Sequence, residues 1–254
     1  MNVFRDCFTC LSAFTFLRFQ RKENAPSYVR RVLAFFPFVG LICGFLFYLW
    51  ALFCLGFHVS AAFFACGAVA LPLLFTRGLH MRGFSKILYT FCNRNRKNDP
   101  QKNTPTPTMD AFSSLWAALF LLLCFGAWQE VFSVPAALLV IALQFVLSRA
   151  AAGLFPFLFL VLRRRNPLRV FRREKNKLLL FSLSLWGAAT LIYMFFIHPL
   201  FAAACVVSNV LVFLLRLFSR KKCRRLEPAW LGCSIVLSEG LSLLLCALLC
   251  SILR

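Results

Sequence analysis

Charge is scarce in this sequence. Charged residues make up 15% of its 254 and apolar residues 61%, whereas an ordinary soluble domain has about 25% charged and about 45–50% apolar residues. One water-soluble domain could not hide that excess, because it comes as uninterrupted runs of about 20 residues, the length that crosses a bilayer. Acids are rarer still, eight against 29 basic residues. Histidine occurs three times, and a metal site built on it would need several donors close together. The 12 cysteines lack a paired pattern. Cys43, Cys54, Cys66, Cys124, Cys205, Cys233, Cys246 and Cys250 lie inside apolar runs, where a thiol acts as a small hydrophobe, so no disulfide framework is implied. Cys7 and Cys10 form one C-x-x-C, a weak metal or redox signal without a second pair or a nearby histidine. No repeat and no soluble domain is visible, and the first 31 residues do not read as a signal peptide, because charges interrupt their apolar stretch and no small-residue cleavage site follows.

What the chain does have is seven apolar runs, at about Val32–Gly56, Val59–Thr76, Ala111–Trp128, Val134–Leu162, Leu178–Ile197, Pro199–Phe218 and Ala229–Leu253. The expected fold is all-α, a single polytopic membrane domain over residues 1–254 with about seven transmembrane helices. Residues 1–31 mix aromatic and basic side chains and are expected to form an interfacial or partly inserted segment. Residues 93–110, with Pro100, Pro105 and Pro107, should be an extended, mobile cytoplasmic loop. The stretch RRRNPLRVFRREKNK at 163–177 has the character of a short basic amphipathic helix lying on headgroups.

The basic residues alternate between connections. Residues 1–31 hold six, the connection around 77–110 seven, that around 163–177 eight and that from Arg216 to Arg225 six, while the connections near His58, Gln129–Ser133 and His198 hold none. Loops rich in Lys and Arg stay on the cytoplasmic side, so the N-terminus should be cytoplasmic and the C-terminus outside. A net charge of +21 placed in this way meets anionic lipid headgroups and argues against a nucleic-acid partner.

Ionisable residues inside spans are costly and are usually buried against a partner. Two qualify: Arg149, in SRAAAG, and Glu239, in GCSIVLSEG. They are expected to pair, as small residues around each, among them Gly153, Gly232 and Gly240, allow close helix contact. The segment GLHMRGF at 78–84 stands where the second run reaches the cytoplasm, and His80 is the one histidine on that side.

Taken together, these segments resemble the cobalamin synthase family, the adenosylcobinamide-GDP ribazoletransferases. AFTFLRF followed by YVRRVLAFFPFVGLICG is similar to the family's opening, in which Pro37, Val39, Gly40 and Gly44 match a P-x-V/I-G-x-x-x-G pattern. TRGLHMRGFSKILYT at 76–90 is similar to the signature G-G-x-H-L-D-G-L-x-D-x-x-D-G, LSRAAAG at 147–153 to a Ser-Arg element, and LGCSIVLSEG at 231–240 to the last span. The resemblance implies a bacterial cytoplasmic-membrane enzyme of cobalamin (vitamin B12) biosynthesis. It would join α-ribazole or its phosphate to adenosylcobinamide-GDP, release GMP and require Mg²⁺. Residue by residue, it implies catalytic roles for His80 and Glu239, substrate or phosphate contacts for Ser148 and Arg149, and structural roles for Gly78, Gly83 and Gly232, while Arg82 and Lys86 are expected by their own charge to clamp a phosphate.

The chain departs from the pattern at its acids. Where the signature carries three aspartates this chain has Arg82, Lys86 and Tyr89, an exchange that raises the local charge by five units. The aspartate before the last span is Ala229, one of the two acids within it is Val236, and TPTPTMDA replaces a D-S-R-x-G element, leaving Asp110. No residue here is therefore assigned as a metal ligand. Two other classes remain: a non-catalytic binding or assembly protein of the same fold, and a small transporter. The topology is the first thing to measure. A tag fused after Arg254 should be labelled from outside intact cells, and labelling only after permeabilisation would overturn the span count.

Overall fold

The computed structural model describes residues 10, 11, 15, 33–92, 111–162, 177–219 and 227–253. The expectations for the segments 1–31, 93–110 and 163–177 thus fall almost wholly outside the described residues. Every regular element among those described is helical: α1 Phe36–Gly56, α2 Ala61–Phe75, α3 Leu79–Cys92, α4 Ala111–Val131, α5 Pro135–Leu162, α6 Lys177–Ile197, α7 Pro199–Ser219 and α8 Glu227–Leu253.

These bounds follow the apolar runs, because in lipid the backbone must satisfy its own hydrogen bonds and the helix does so within one segment. Helices of 21 residues, such as α1 and α7, rise about 31 Å at 1.5 Å per residue, enough for a hydrocarbon core of about 30 Å. Six helices meet that requirement alone: α1, α4, α5, α6, α7 and α8. The second run is different. α2 has 15 residues, which at the same rise covers only about 22 Å, and it bends by 90° into α3, so the pair together makes the seventh candidate span.

The bend has a local cause. Pro72 has no N–H to give the carbonyl of Ala68, and the Thr76 hydroxyl donates to the Pro72 carbonyl at 2.8 Å. The Arg77 N–H then bonds the Leu74 carbonyl and the Gly78 N–H bonds that of Leu73, with Arg77 and Gly78 at φ 52° and 63°. That is a Schellman ending, with arginine in the left-handed position where glycine is more usual. α1 ends in the same way around His58, at φ 51°. A Ser60 hydroxyl then accepts from the Phe63 N–H at 3.3 Å to start α2.

α5 and α8 form the centre. In α5, 78% of the apolar window is buried, against 22% in the peripheral α6. α5 packs on α1, α6, α7 and α8, while α8 also takes α3 and α4. An aromatic cluster joins α1, α2, α4 and α5 through Phe47, Phe64, Trp128, Phe132 and Phe145, with Phe64 and Phe132 stacked at 4.5 Å. Phe45, Leu122, Phe181 and Phe196 are exposed on the outside of the bundle, as helices apolar on every side require when the solvent is lipid. α3 is the exception: it buries Met81, Phe84 and Ile87 and exposes Arg82.

Two close approaches depend on glycine. A Cβ at Gly40 or Gly44 would run into the α5 carbonyls of Phe145 or Ala142, and at Gly40 also into the Arg149 side chain. Gly83 and Gly232 bring α3 against α8 in the same way, a Cβ on Gly232 lying 3.1 Å from the His80 Cα. Backbone atoms cannot step aside, so Gly40→Ala should lower stability by about 1–3 kcal/mol. Gly126 faces open space, and there the same change should stabilise by about 0.5–1 kcal/mol. Thermal unfolding in detergent micelles compares the two.

Candidate functional site

Arg149 is the largest fully buried side chain described, at 0% exposure. A cation there requires partners, and α5 and α8 supply them. Its Nη1 donates to Glu239 Oε1 at 2.6 Å and to the Phe145 carbonyl at 2.7 Å. Ser148 Oγ donates to the same Glu239 oxygen at 2.7 Å. The Arg149 guanidinium also lies over the Phe145 ring, 5.7 Å from its centroid, a favourable place for a desolvated cation. The pair expected from sequence is therefore formed, and its carboxylate is held by two donors at one oxygen.

The ion pair lines a cavity of about 90 Å³ enclosed by α2, α3, α4, α5 and α8. His80 reaches it from the start of α3, with its ring edge-on to Phe36 at 6.1 Å and 5% of its surface exposed. Its Nε2, and Nε and Nη2 of Arg149, are buried without a hydrogen-bond partner. Much of the remaining wall is apolar, including Leu73, Phe120, Trp128 and Leu243. An arrangement of this kind suits a ligand that is largely apolar where it meets the wall and carries hydrogen-bond acceptors at one end.

The structure therefore brings together His80, Ser148, Arg149 and Glu239, from three helices. Gly83 and Gly232 stand directly behind, where α3 crosses α8, and Gly78 closes the turn that aims α3. Arg82 and Lys86 are not in the cavity wall; Arg82 is exposed and Lys86 half-buried on α3. Sequence reasoning missed a second polar feature beside the first. Asn209 Nδ2 of α7 donates to Gln144 Oε1 of α5 at 3.3 Å, and Gln144 Nε2 donates to the Ser238 carbonyl of α8 at 3.3 Å. The available signal was an amide inside each of two apolar runs, the neutral counterpart of the charge at Arg149.

Mg²⁺ demands oxygen ligands, usually one or two carboxylates plus phosphate. Among the described residues no group of three or more His, Cys, Asp or Glu side chains is placed to hold a metal ion. The cavity's one carboxylate, Glu239, is engaged by Arg149 and Ser148, and the positions of the three signature aspartates carry Arg82, Lys86 and Tyr89. The described residues do not fit a Mg²⁺ site.

Stripping the partner from a buried charge is worse than removing the pair. Glu239→Gln should cost about 3–5 kcal/mol, and Glu239→Leu combined with Arg149→Met should cost less than either single change. Ser148→Ala, which removes one donor, should cost about 1–3 kcal/mol. Melting temperatures of the purified variants give the ranking.

Residues 6–247 match the family described as cobalamin-5-phosphate synthase. An adenosylcobinamide-GDP ribazoletransferase of Lachnoclostridium phytofermentans is 24% identical over 217 residues, covering 84% of this chain and 82% of that protein. One of Clostridium perfringens strain 13 is 24% identical over 236 residues, covering 92% and 94%. No solved structure matches. Pro37, Gly40, His80, Gly83, Ser148, Arg149, Gly232 and Glu239 stand in the segments through which the sequence resembles that family, and with the match spanning nearly the whole chain, this polytopic membrane protein belongs to the cobalamin-5-phosphate synthase family.

Proposed function

We propose that the protein acts in cobalamin biosynthesis at the bacterial cytoplasmic membrane, as an adenosylcobinamide-GDP ribazoletransferase. In that reaction a hydroxyl of α-ribazole or its phosphate displaces GMP from the pyrophosphate of adenosylcobinamide-GDP. The observation that carries the reading is spatial convergence. The four segments that resemble the family are far apart in sequence, yet Gly40 packs on Arg149, His80 lines the cavity with Arg149 and Glu239, and Gly232 seats the backbone of His80.

The roles follow from the donors available. Displacement at phosphorus builds charge on equatorial and leaving oxygens, and fixed donors in a water-poor site stabilise it. Arg149 is such a donor, oriented by Glu239 and Ser148. His80, the buried imidazole at the cavity, is a second such donor through its Nε2–H, and the proton of the attacking hydroxyl is released to solvent. Arg82 and Lys86 sit about half a turn and just under two turns beyond His80 on the same helix, on the side reading as cytoplasmic, and would draw the pyrophosphate in from the headgroup region.

One observation favours a second reading, a corrinoid-nucleotide binding protein without turnover: Glu239, the cavity's one carboxylate, already has an oxygen committed to Arg149 and Ser148, which weakens it as a base or metal ligand. Purified protein given adenosylcobinamide-GDP, α-ribazole and Mg²⁺ separates the two. GMP and a cobalamin product above a no-enzyme control support transfer, and His80→Ala should then lower kcat by about 10²–10³. Tight binding of adenosylcobinamide-GDP with no product would establish the second reading in its place.

A further inference from the structure

The acids that would hold a metal ion are replaced, but the donors a metal would have shared with phosphate are present and unused. Nη1 of Arg149 is occupied by Glu239 and Phe145, whereas Nε and Nη2 are buried with no partner. Those two N–H groups form the edge of the guanidinium that makes parallel bonds to two oxygens of a phosphate or carboxylate. Nε2 of His80, on the same cavity, is a third orphan. Buried donors of this kind are nearly always satisfied by something, and a polar corner of a cavity of about 90 Å³ has room for ligand oxygens or for the waters they displace.

We propose that Nε and Nη2 of Arg149, with Nε2–H of His80, bind a phosphoryl group of a pyrophosphate ligand directly, with no divalent cation between them. The inference rests on the transferase-family reading for the identity of the ligand and deepens it by assigning the group that replaces the metal.

Three features converge on it. Arg149 is held before any ligand arrives: its Nη1 is tied to Glu239 at 2.6 Å, and α1 is pressed against its aliphatic stem at Gly40. The guanidinium is therefore held in one orientation, with its Nε and Nη2 edge buried and left without a partner. The exchange of three signature acids for Arg82, Lys86 and Tyr89 has the same direction, since it removes metal ligands and adds cations that favour arrival of an anion. Glu239 makes the ion pair formally neutral, so recognition depends on directed hydrogen bonds from buried donors, which are stronger there than in water.

The test is binding, independent of turnover. The full chain in dodecyl maltoside micelles, which contain no phosphate, is titrated with inorganic pyrophosphate by calorimetry, once with excess EDTA and once with Mg²⁺. The expected dissociation constant in EDTA lies within about twofold of that in Mg²⁺, and Arg149→Lys, which offers a point charge in place of a fork, weakens binding by about tenfold or more. His80→Phe keeps a ring against Phe36 and serves where Arg149→Lys does not fold; it should weaken binding by about threefold to tenfold through loss of one donor. Binding abolished by EDTA, or unchanged in His80→Phe and in a folded Arg149→Lys, overturns the proposal. Absence of pyrophosphate binding in a protein that still releases GMP from adenosylcobinamide-GDP overturns this inference and leaves the transferase reading intact. EDTA-resistant binding with no product in the transfer assay has the opposite effect.

Discussion

A guanidinium with no access to water must be compensated where it stands, and in this bundle Glu239 does that for Arg149. The pair joins the two central helices, α5 and α8, and the rest of the interior is arranged around it. Surrounding hydrocarbon gives the helices no hydrophobic reason to associate, so contact must come from close packing and from polar groups that have no alternative partner. The ion pair supplies one such contact. The chain from Asn209 through Gln144 to the Ser238 carbonyl supplies another, tying α7, α5 and α8 together between one and two turns from Arg149 on α5 and next to Glu239 on α8.

Close packing around that pair is obtained by omission of side chains. Gly40 and Gly44 let α1 lie against carbonyls of α5, and Gly83 with Gly232 lets α3 lie against α8. The second approach has a chemical consequence, for it is the backbone of His80 that rests on Gly232. The Schellman ending at Arg77 and Gly78 sets the direction from which α3 arrives. A bend of 90° between α2 and α3 thus turns what hydropathy shows as the end of a span into the wall of a polar cavity.

Within the family, this chain combines a retained scaffold with an altered charge. Ser148, Arg149 and Glu239 form a compensated trio, while cations and a phenol stand where the resemblance expects acids. Fold and chemistry answer to different residues here. The helices are held by glycines, apolar surfaces and the central pair, while Arg82 is exposed on α3, so the architecture does not depend on the charge at that position.

Much of the architecture was legible in the sequence, because a membrane span is written in one dimension: about 20 apolar residues in a row make a helix wherever the chain goes next. The span boundaries and the Arg149–Glu239 pair could be read in that way, the pair because two lone charges in apolar runs have few ways to be compensated. The short α2 and its sharp bend were not, since Val59–Thr76 has the hydropathy of an ordinary span and only Pro72, Thr76 and the left-handed Arg77 divide it. Nor could sequence separate His80, which enters the cavity, from Arg82, two residues on and exposed, because that depends on which face of α3 meets α8. The solvent each segment meets is set by its own composition; the partner each polar atom meets is set by contacts between helices far apart in the chain, as Arg149 and Glu239 are, and only the packed bundle decides those.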